Sequence, residues 1–326
     1  MSKYWMNYPQ IAEQLELVQA IIIKTNRSSE AYLNESIDYL MTTGGKMIRP
    51  AFLMIGSMLG DENIRNKQKI ATLAAAVETL HLATLIHDDI IDESKLRRGN
   101  ETIQSKYSKE YAVYMGDYLF SQCFVMLAEE NVPPKVLHQI SKGVARICKG
   151  EMLQSHLRYT TNVNVLDYLR IIKGKTAALF AVSLGAGAFE AKVSEKLSRK
   201  IGMIGLNIGM AFQLVDDLLD YTGVTEQTGK EVQADIIKGY YTLPLIYTLN
   251  SEFGEETKSI LSQPSINVEQ IDRLIELAHL SGAIHQTQAL AQKYTKKAIN
   301  GLMELPSSQG RTILLDIVPK MLSRIY

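Results

Sequence analysis

The chain has 326 residues, of which 46% are hydrophobic and 21% are charged, enough apolar material for a sizeable core. Its 35 basic and 35 acidic residues balance, so no net field attracts the protein to nucleic acid or anionic lipid. The composition therefore predicts a globular protein that does not bind nucleic acid.

Apolar residues recur at helical spacing almost throughout, as in Ile11-Leu15-Val18-Ile22 and Leu166-Leu169-Ile172. The eight prolines mostly stand where a helix should begin or end, and no alternating run predicts a strand. Breaks are expected at residues 42–45, 60–63, 131–134, 159–164, 223–230 and 263–267. The pattern predicts an all-α fold, a single large helical bundle in one domain over residues 1–326.

Nothing in the sequence indicates a membrane protein or a secreted one. The first ten residues lack the charged, apolar and small-residue order of a signal peptide. The longest uncharged stretches, residues 176–189 and 201–215, are shorter than the roughly 18 apolar residues of a spanning helix. Cys123 and Cys148 lie in apolar helical patterns, as reduced core cysteines do. We expect a soluble, cytoplasmic protein.

The first cationic motif is Gly44-Gly45-Lys46-Met47-Ile48-Arg49-Pro50, a flexible turn that enters a helix. Backbone donors at a helix start, with Lys46 and Arg49 nearby, suit an anionic group. An ordinary glycine turn with two solvated charges is the alternative.

One acidic pattern occurs twice, as Asp88-Asp89-Ile90-Ile91-Asp92 and Asp216-Asp217-Leu218-Leu219-Asp220, each after an apolar run. At about 3.6 residues per turn, the outer aspartates of each set share a helical face and the middle one lies to the side. These carboxylates repel one another unless divalent cations and a polyanion lie between them. Magnesium binds through a few carboxylates plus substrate phosphates, so the pair predicts a diphosphate site. A solvated acidic face is the alternative for either copy alone.

Several other polar residues accompany these motifs. His81 precedes Asp88 by about two helical turns and projects from nearly the same face, although a core histidine is the alternative. His87-Asp88 also matches the histidine–aspartate pair of metal phosphohydrolases, but no histidine precedes His81 to complete that site. The remaining cations near these motifs are Arg97, Arg98, Lys175, Lys230 and Lys238, of which Arg97 and Arg98 could bind phosphate or solubilise a loop. Most lysines are solvated, so each alone is weak evidence.

Taken together, these motifs resemble the all-trans polyprenyl diphosphate synthases, from about Gly44 to Pro244 and in matching order. The resemblance is carried by GGKMIRP, HLATLIHDDIIDESKLRRG, GEMLQ (150–154), GKTAALF (174–180), FQLVDDLLDY and GKEVQADIIKG. It implies a helical bundle of the isoprenoid synthase type, with a central substrate cavity and one aspartate set on either wall.

The resemblance also implies roles for the residues. Asp88, Asp89, Asp92, Asp216, Asp217 and Asp220 would hold Mg²⁺ against an allylic diphosphate. Arg97, Lys175 and Lys230 would neutralise that diphosphate, with Thr176, Gln213 and Lys238 as supporting contacts. Lys46, Arg49, His81 and Arg98 would bind the diphosphate of the second substrate, isopentenyl diphosphate. The sequence departs from the family pattern at Gln233, where glycine is usual, and at Tyr240, where lysine is common. The loss of that lysine is expected to weaken one diphosphate contact.

Product length is predicted from the residues one helical turn before Asp88. Short-chain synthases tend to place an aromatic plug there, whereas Ala83 and Thr84 are small. We therefore expect roughly six to ten isoprene units, as in quinone side chains. The expected primer is farnesyl diphosphate.

Two rival interpretations remain. A terpene cyclase on the same scaffold usually replaces the second aspartate set with an Asn/Ser/Glu triad, which this chain lacks. A non-catalytic helical subunit would have lost some of the aspartates or cations. The family implies a homodimer or a heterodimer with a small regulatory subunit, and the sequence does not decide between them.

Overall fold

The structure is a computed structural model, and it describes residues 3–43, 45–222 and 234–323. The chain divides into two compact units. Unit 1 comprises Met1–Ile140, Val182–Gly202 and Pro306–Ile313, and unit 2 comprises Ser141–Ala181, Met203–Leu305 and Leu314–Tyr326. The all-α prediction is confirmed, while the assignment of residues 1–326 to one domain stays a prediction.

Helices form nearly all of the first half of the described chain. They are α1 (Pro9–Asn26), α2 (Ala31–Thr42), α3 (Ile48–Ser57), α4 (Lys67–Ile91), α5 (Ile103–Lys106), α6 (Lys109–Glu129) and α7 (Pro134–His156), with short 3₁₀ turns at Lys3–Trp5 and Glu62–Ile64.

Helix α4 is the centre of unit 1. Its N-cap residue is Asn66, whose side-chain oxygen accepts a hydrogen bond from the Lys69 amide at 3.0 Å. This bond satisfies one of the free backbone donors of the first turn. Nearly every side chain between Ile70 and Leu80 is buried, as expected of a helix that is apolar all round. Helices α1, α3 and α6 pack against α4. The first aspartate set lies at the carboxyl end of α4.

A short β-hairpin follows α4, and the sequence pattern did not predict it. Strands β1 (Leu96–Arg97) and β2 (Asn100–Glu101) are antiparallel, with Arg97 opposite Asn100. The turn residues Arg98 and Gly99 have φ values of +54° and +78°, as a two-residue hairpin turn requires. Two-residue strands are too short for alternating polarity to reveal them.

The second half of the chain is also helical. Its elements are α8 (Val165–Ile172), a π-helical turn (Lys173–Ala177), α9 (Ala178–Glu190), α10 (Glu195–Thr222), α11 (Ala234–Ile237), α12 (Leu243–Leu249), α13 (Gly254–Leu261), α14 (Val268–Leu280), α15 (Ala283–Met303) and α16 (Gln309–Leu322). In unit 2 the end of α10 packs with α8, α12, α14 and α15 around one apolar cluster, which includes Tyr168, Leu214 and Leu274. The predicted breaks are confirmed for the described residues, and Gly44 and residues 223–230 lie outside them.

Three helical segments extend well beyond the uncharged stretches seen in the sequence. Lys67–Ile91, Val165–Glu190 and Glu195–Thr222 are long and apolar enough, by length and composition, to cross a membrane. Between 61% and 72% of each most apolar window is buried within the protein, which is the pattern of core helices. One cysteine prediction is wrong, because Cys148 is exposed on α7, whereas Cys123 is buried; both are free thiols.

Candidate active site

The first aspartate set divides into one buried carboxylate and two partly exposed ones. Asp89 is 6% exposed and faces the interior, while Asp88 and Asp92 are only partly buried. Arg97 grips Asp89 through Nε, at 2.9 and 3.0 Å from its two carboxylate oxygens, and through Nη2 at 2.7 Å from Oδ1. This is the separation into outer and middle aspartates that helical spacing predicted.

The hairpin explains how Arg97 reaches back to the end of α4. Gln104, in α5, donates from Nε2 to the backbone carbonyls of Asp89 and Ser94, the latter at 2.9 Å. Thr102 donates its hydroxyl to the Ser94 carbonyl at 2.7 Å. These bonds close the loop between α4 and α5 and fix the strand that carries Arg97. Its guanidinium is thereby placed for bidentate pairing with a buried carboxylate.

A cluster of cations lies in the same unit. Arg49 on α3 donates from Nη1 to Nε2 of His81 on α4, at 2.8 Å. Burial, and then the neighbouring guanidiniums, lower the pKa of His81 well below its usual value, so its ring is neutral and can accept this bond. Burial likewise lowers the pKa of Arg49 to about 10, which leaves it charged at neutral pH. His81 therefore orients a partly buried guanidinium.

Arg98 belongs to the same group, since its charge acts on both Arg49 and His81. Arg98 and Met47, the residue before α3, both have left-handed φ values, +54° and +49°, a conformation that costs free energy and concentrates at functional sites. The guanidinium of Arg98 lies so close to Gly45 that a Cβ there would collide with it. The Lys46 carbonyl accepts a hydrogen bond from Trp5 Nε1 at 2.5 Å. Arg49, His81 and Arg98 are called the cation cluster below. Lys46 is exposed, with its ammonium 5.6 Å from the ring centroid of Tyr4, and its part in diphosphate binding stays a prediction.

The second aspartate set, at the end of α10 in unit 2, repeats the pattern of the first. Asp217 is 5% exposed, whereas Asp216 and Asp220 are partly buried. The phenol of Tyr168 donates to Asp217 Oδ2, and Gln213 Nε2 donates to Oδ1 at 2.8 Å. Thr176 in turn donates to Gln213 Oε1 at 2.6 Å, which fixes the orientation of that amide.

The titration of this pair follows from burial. Burial raises the pKa of Asp217 to about 7, although the hydrogen bonds from Tyr168 and Gln213 act in the opposite direction. The pKa of Tyr168 is raised well above its usual value by burial and by the charge of Asp217. The phenol therefore keeps its proton at neutral pH and acts as the donor.

Lys175 lies in a distorted part of the same unit. Its ammonium donates to Glu151 Oε2 and to Gln154 Oε1, both at 3.0 Å. The backbones meet because Gly150 and Gly174 have no side chains: a Cβ on Gly174 would lie 2.5 Å from the Arg146 carbonyl oxygen, and one on Gly150 would lie 2.9 Å from the Lys175 amide. The π-helical turn widens the helix at Lys175, as such turns often do at functional sites.

The donor chemistry fits magnesium, although no preformed ligand group is present. No cluster of three metal-binding side chains occurs in residues 3–43, 45–222 and 234–323. Each set nevertheless carries two partly exposed carboxylates four residues apart, the oxygen ligands that Mg²⁺ prefers. A magnesium ion that binds mainly through substrate phosphates needs only one or two of them. The middle aspartates are engaged by Arg97 and Tyr168, and their predicted part in binding Mg²⁺ stays a prediction.

The two residues predicted to set product length lie on α4, about one helical turn before the first set. Ala83 is fully buried in an apolar cluster between α2, α4, α5 and α6, which includes Ile37, Ile86 and Met115. Thr84 is partly buried and returns its hydroxyl to the His81 carbonyl at 2.8 Å. Neither residue has an aromatic side chain that could block a growing product.

The remaining predicted contacts differ in how the structure treats them. Lys230 and the departure at Gln233 lie outside the described residues. Lys238 is partly buried, and its carbonyl accepts a hydrogen bond from Arg158 Nε at 2.6 Å. The guanidinium of Arg158 lies 5.3 Å from the ring centroid of Tyr240, the position where the family often has lysine. A cation is therefore present beside that residue. That the two aspartate sets face one cavity stays a prediction.

Three side chains beside the predicted site residues were not identified from the sequence. Tyr168 and Gln104 reach the aspartates through the fold, and Glu78 is a buried acid one turn before His81. The only sequence signal was the position of Glu78, an acid within an otherwise apolar run.

Comparison with known proteins shows which family this chain resembles. The model of the polyprenyl synthetase family matches residues 30–278. Heptaprenyl diphosphate synthase component 2 of Bacillus subtilis (strain 168) is 35% identical over 316 residues, which cover 97% of this chain and 89% of that protein.

Two solved structures have the same fold. Geranylgeranyl pyrophosphate synthase from Lactobacillus brevis ATCC 367 superposes with a TM-score of 0.91 at 31% identity, covering 99% of both chains. Polyprenyl synthase from Caulobacter crescentus CB15, complexed with calcium and isoprenyl diphosphate, gives a TM-score of 0.89 at 33% identity, covering 98% of this chain and 97% of that one.

The all-helical fold and the paired aspartate sets thus define an isoprenoid-type transferase. The chain belongs to the polyprenyl synthetase family. It is a prenyltransferase of polyprenyl diphosphate synthesis, and the terpene cyclase and non-catalytic interpretations are set aside.

Proposed function

We propose that this enzyme adds isopentenyl diphosphate units to an allylic diphosphate, with farnesyl diphosphate as the primer. The product would be a long all-trans polyprenyl diphosphate of roughly six to ten isoprene units. The observation that carries the proposal is the repeated design of the aspartate sets: a buried middle carboxylate held by protein donors, between two partly exposed ones.

The outer aspartates, Asp88 and Asp92 in one set and Asp216 and Asp220 in the other, are the proposed ligands of Mg²⁺. When bound, the metal neutralises negative charge on the diphosphate that leaves the allylic carbon. Calcium together with an isoprenyl diphosphate in the Caulobacter crescentus relative supports a divalent cation beside such a substrate.

The cations of the chain do the rest of the electrostatic work. Breaking the allylic carbon–oxygen bond leaves a carbocation and transfers the bonding electrons to the diphosphate. Arg97 and Lys175, which pair with Asp89 and with Glu151 in this structure, would stabilise that charge. Each would exchange part of its carboxylate pairing for phosphate oxygens, and Lys238 is a further contact of this kind.

The cation cluster is the proposed site for the diphosphate of isopentenyl diphosphate. Arg49 is partly buried and bonded to His81, so it offers an oriented guanidinium for phosphate oxygens. Holding the isopentenyl double bond near the allylic carbon makes carbon–carbon bond formation effectively unimolecular. The new cation then loses a proton to an oxygen of the departing diphosphate, which restores a double bond.

Product length follows from the small residues behind the first aspartate set. Ala83 and Thr84 are small, so no aromatic ring stands where one would end a growing chain. The heptaprenyl relative supports a long product, and the geranylgeranyl neighbour shows that the fold also serves a shorter one. We propose that the product is the precursor of a quinone side chain, made in the cytoplasm.

The name of the Bacillus subtilis relative, component 2, supports a subunit of a larger complex. We propose that this chain is the catalytic partner, either as a homodimer or with a small regulatory subunit. Sedimentation of the purified chain, alone and with candidate small subunits from the same source, tests this: a single monomeric species under all conditions, active by itself, contradicts it.

The activity is tested by incubating the purified chain with farnesyl diphosphate, labelled isopentenyl diphosphate and magnesium. After dephosphorylation, chromatography of the lipid against chain-length standards should show label in a long polyprenol. Omitting magnesium should remove it. Absence of labelled lipid with farnesyl, geranyl and geranylgeranyl diphosphates alike, with the small subunit present, would refute the proposal.

A further inference from the structure

Glu78 is a buried acid that the proposed chemistry does not use. It lies on α4, three residues before His81, and is only 6% exposed. Its Oε2 atom is buried without a hydrogen-bond partner. A buried carboxylate oxygen with no donor costs free energy, so its presence in a well-packed helix calls for an explanation.

The charges that act on Glu78 are those of the cation cluster. They come from Arg49 on α3 and from Arg98 in the hairpin turn, and the carboxylate in turn acts on both guanidiniums. On its own helix, His81 is neutral and bonded to Arg49. The charge of Arg97 lowers the pKa of Arg98, and the charge of Asp88 raises the pKa of Arg49. The charges that shift the pKa of Glu78 itself are those of Arg49 and Arg98.

Burial and these cations oppose one another at Glu78. Burial is the larger influence and raises its pKa, the two guanidiniums lower it, and the pKa is raised overall to about 6. In the free protein near neutral pH, Glu78 is therefore mostly ionised and offsets part of the positive charge of the cluster. Its ionisation depends on the two guanidiniums remaining available to it.

From this arrangement we infer that Glu78 takes up a proton when a diphosphate binds the cation cluster. A diphosphate on Arg49 and Arg98 cancels the charges that keep Glu78 ionised and adds negative charge nearby. The proton comes from the buffer, and the neutral carboxyl no longer repels the ligand. Glu78 is thus a positioning residue that balances the cluster in the free enzyme and yields to the substrate. The inference rests on the proposed isopentenyl diphosphate site.

The test is calorimetry of isopentenyl diphosphate binding at pH 7, without metal or allylic substrate. Titrations in buffers of different ionisation enthalpy give the number of protons exchanged on binding. The ligand can release a proton of its own, but that release is common to all variants. The informative quantity is therefore the difference between the wild type and Glu78→Gln.

We expect the wild type to take up about half a proton more than Glu78→Gln, and Glu78→Gln to bind more tightly at pH 8. The matched control is Glu190→Gln. Glu190 is 7% exposed and also has an Oε2 atom without a hydrogen-bond partner, but its other oxygen pairs with Lys69 at 2.8 Å. That variant should exchange protons like the wild type.

Equal proton exchange in the wild type and Glu78→Gln overturns the inference and leaves the proposed function intact. Failure of the wild type to bind isopentenyl diphosphate at all overturns both. If Glu78→Gln does not fold, infrared difference spectra of the wild type decide. A carboxylic acid C=O band that grows on ligand binding supports the inference, and its absence refutes it.

Discussion

The phenol of Tyr168 donates a hydrogen bond to Oδ2 of Asp217, and both side chains are buried in unit 2. Tyr168 lies on α8, before the π-helical turn that carries Lys175, so one short segment supports the second aspartate set and also provides a cation. In unit 1, Arg97 plays the corresponding part for Asp89. In each set, the middle aspartate is buried and hydrogen-bonded by a protein donor, and the two outer aspartates are partly exposed.

Tyr168→Phe should weaken the second set without unfolding the protein. Loss of a hydrogen bond to a charged group costs about 1.5–3 kcal/mol, so the apparent affinity for magnesium in the assay should fall about tenfold or more. The measurement is product formation as a function of magnesium concentration.

Tyr118→Phe is the control for Tyr168→Phe. Tyr118 donates to the Asn26 carbonyl at 3.0 Å in unit 1, a hydrogen bond that involves no aspartate. It should leave the magnesium dependence unchanged. Identical magnesium curves for Tyr168→Phe and the wild type would show that the phenol does not support Asp217.

Arg97→Ala should destabilise the protein as well as slow it. The substitution leaves the buried carboxylate of Asp89 without its bidentate partner, which should cost about 1–3 kcal/mol in the free energy of unfolding by urea. Arg97→Lys should recover only part of this, because an ammonium cannot grip both oxygens.

The exposed pair Arg27 and Asp38 is the reference for Arg97→Ala. These side chains are about half exposed and lie 3.0 Å apart, so Arg27→Ala should cost less than about 1 kcal/mol. Equal losses for Arg27→Ala and Arg97→Ala would mean that burial of Asp89 adds nothing.

Stability should depend on pH through Glu78. Its pKa is about 6 in the folded protein, against an ordinary value of 4.5, so the folded state binds more protons between these values. The free energy of unfolding contributed by this group therefore falls as pH rises from about 4.5 to 6. Glu78→Gln should remove that slope and stabilise the metal-free protein at pH 7 by about 2 kcal/mol. Urea titrations between pH 4.5 and 7.5 measure it, and an unchanged slope contradicts it.

Ala83→Phe and Thr84→Phe should shorten the product. An aromatic ring one turn before Asp88 would occupy the space that the growing chain needs. Chromatography of the dephosphorylated lipid gives the product length, and melting temperatures show whether the variants remain folded.

Thr72→Phe is the matched control for product length. Thr72 lies on the same helix and, like Thr84, returns its hydroxyl to a backbone carbonyl, that of Gln68 at 3.2 Å. Twelve residues before Thr84, it is about 18 Å further along the helix axis. Products of wild-type length from folded Ala83→Phe and Thr84→Phe would remove the argument for an open tunnel.

The helical period was enough to predict the fold class and the division of each aspartate set. It placed Asp89 and Asp217 to the side of their neighbours, and both are buried. It could not identify their partners, because Tyr168 and Gln104 reach the sets only through the fold. The hairpin was missed because its strands have two residues each.

The burial of individual cysteines and acids was harder to predict. Cys148 lies in an apolar pattern yet is exposed, since α7 turns that position to solvent. Glu78 has the opposite fate, an acid buried among apolar neighbours. In both cases packing against other helices decides the exposure, and local periodicity does not contain that information.

The most direct test of the account is isopentenyl transfer by Asp88→Ala and Asp216→Ala, with Asp38→Ala as the control. Each variant is incubated with farnesyl diphosphate, labelled isopentenyl diphosphate and magnesium, and its helix content is checked by circular dichroism. We predict at least a roughly hundredfold loss for both outer-aspartate variants, with unchanged helix content and wild-type activity in the control. Full activity in Asp88→Ala and Asp216→Ala would contradict the account.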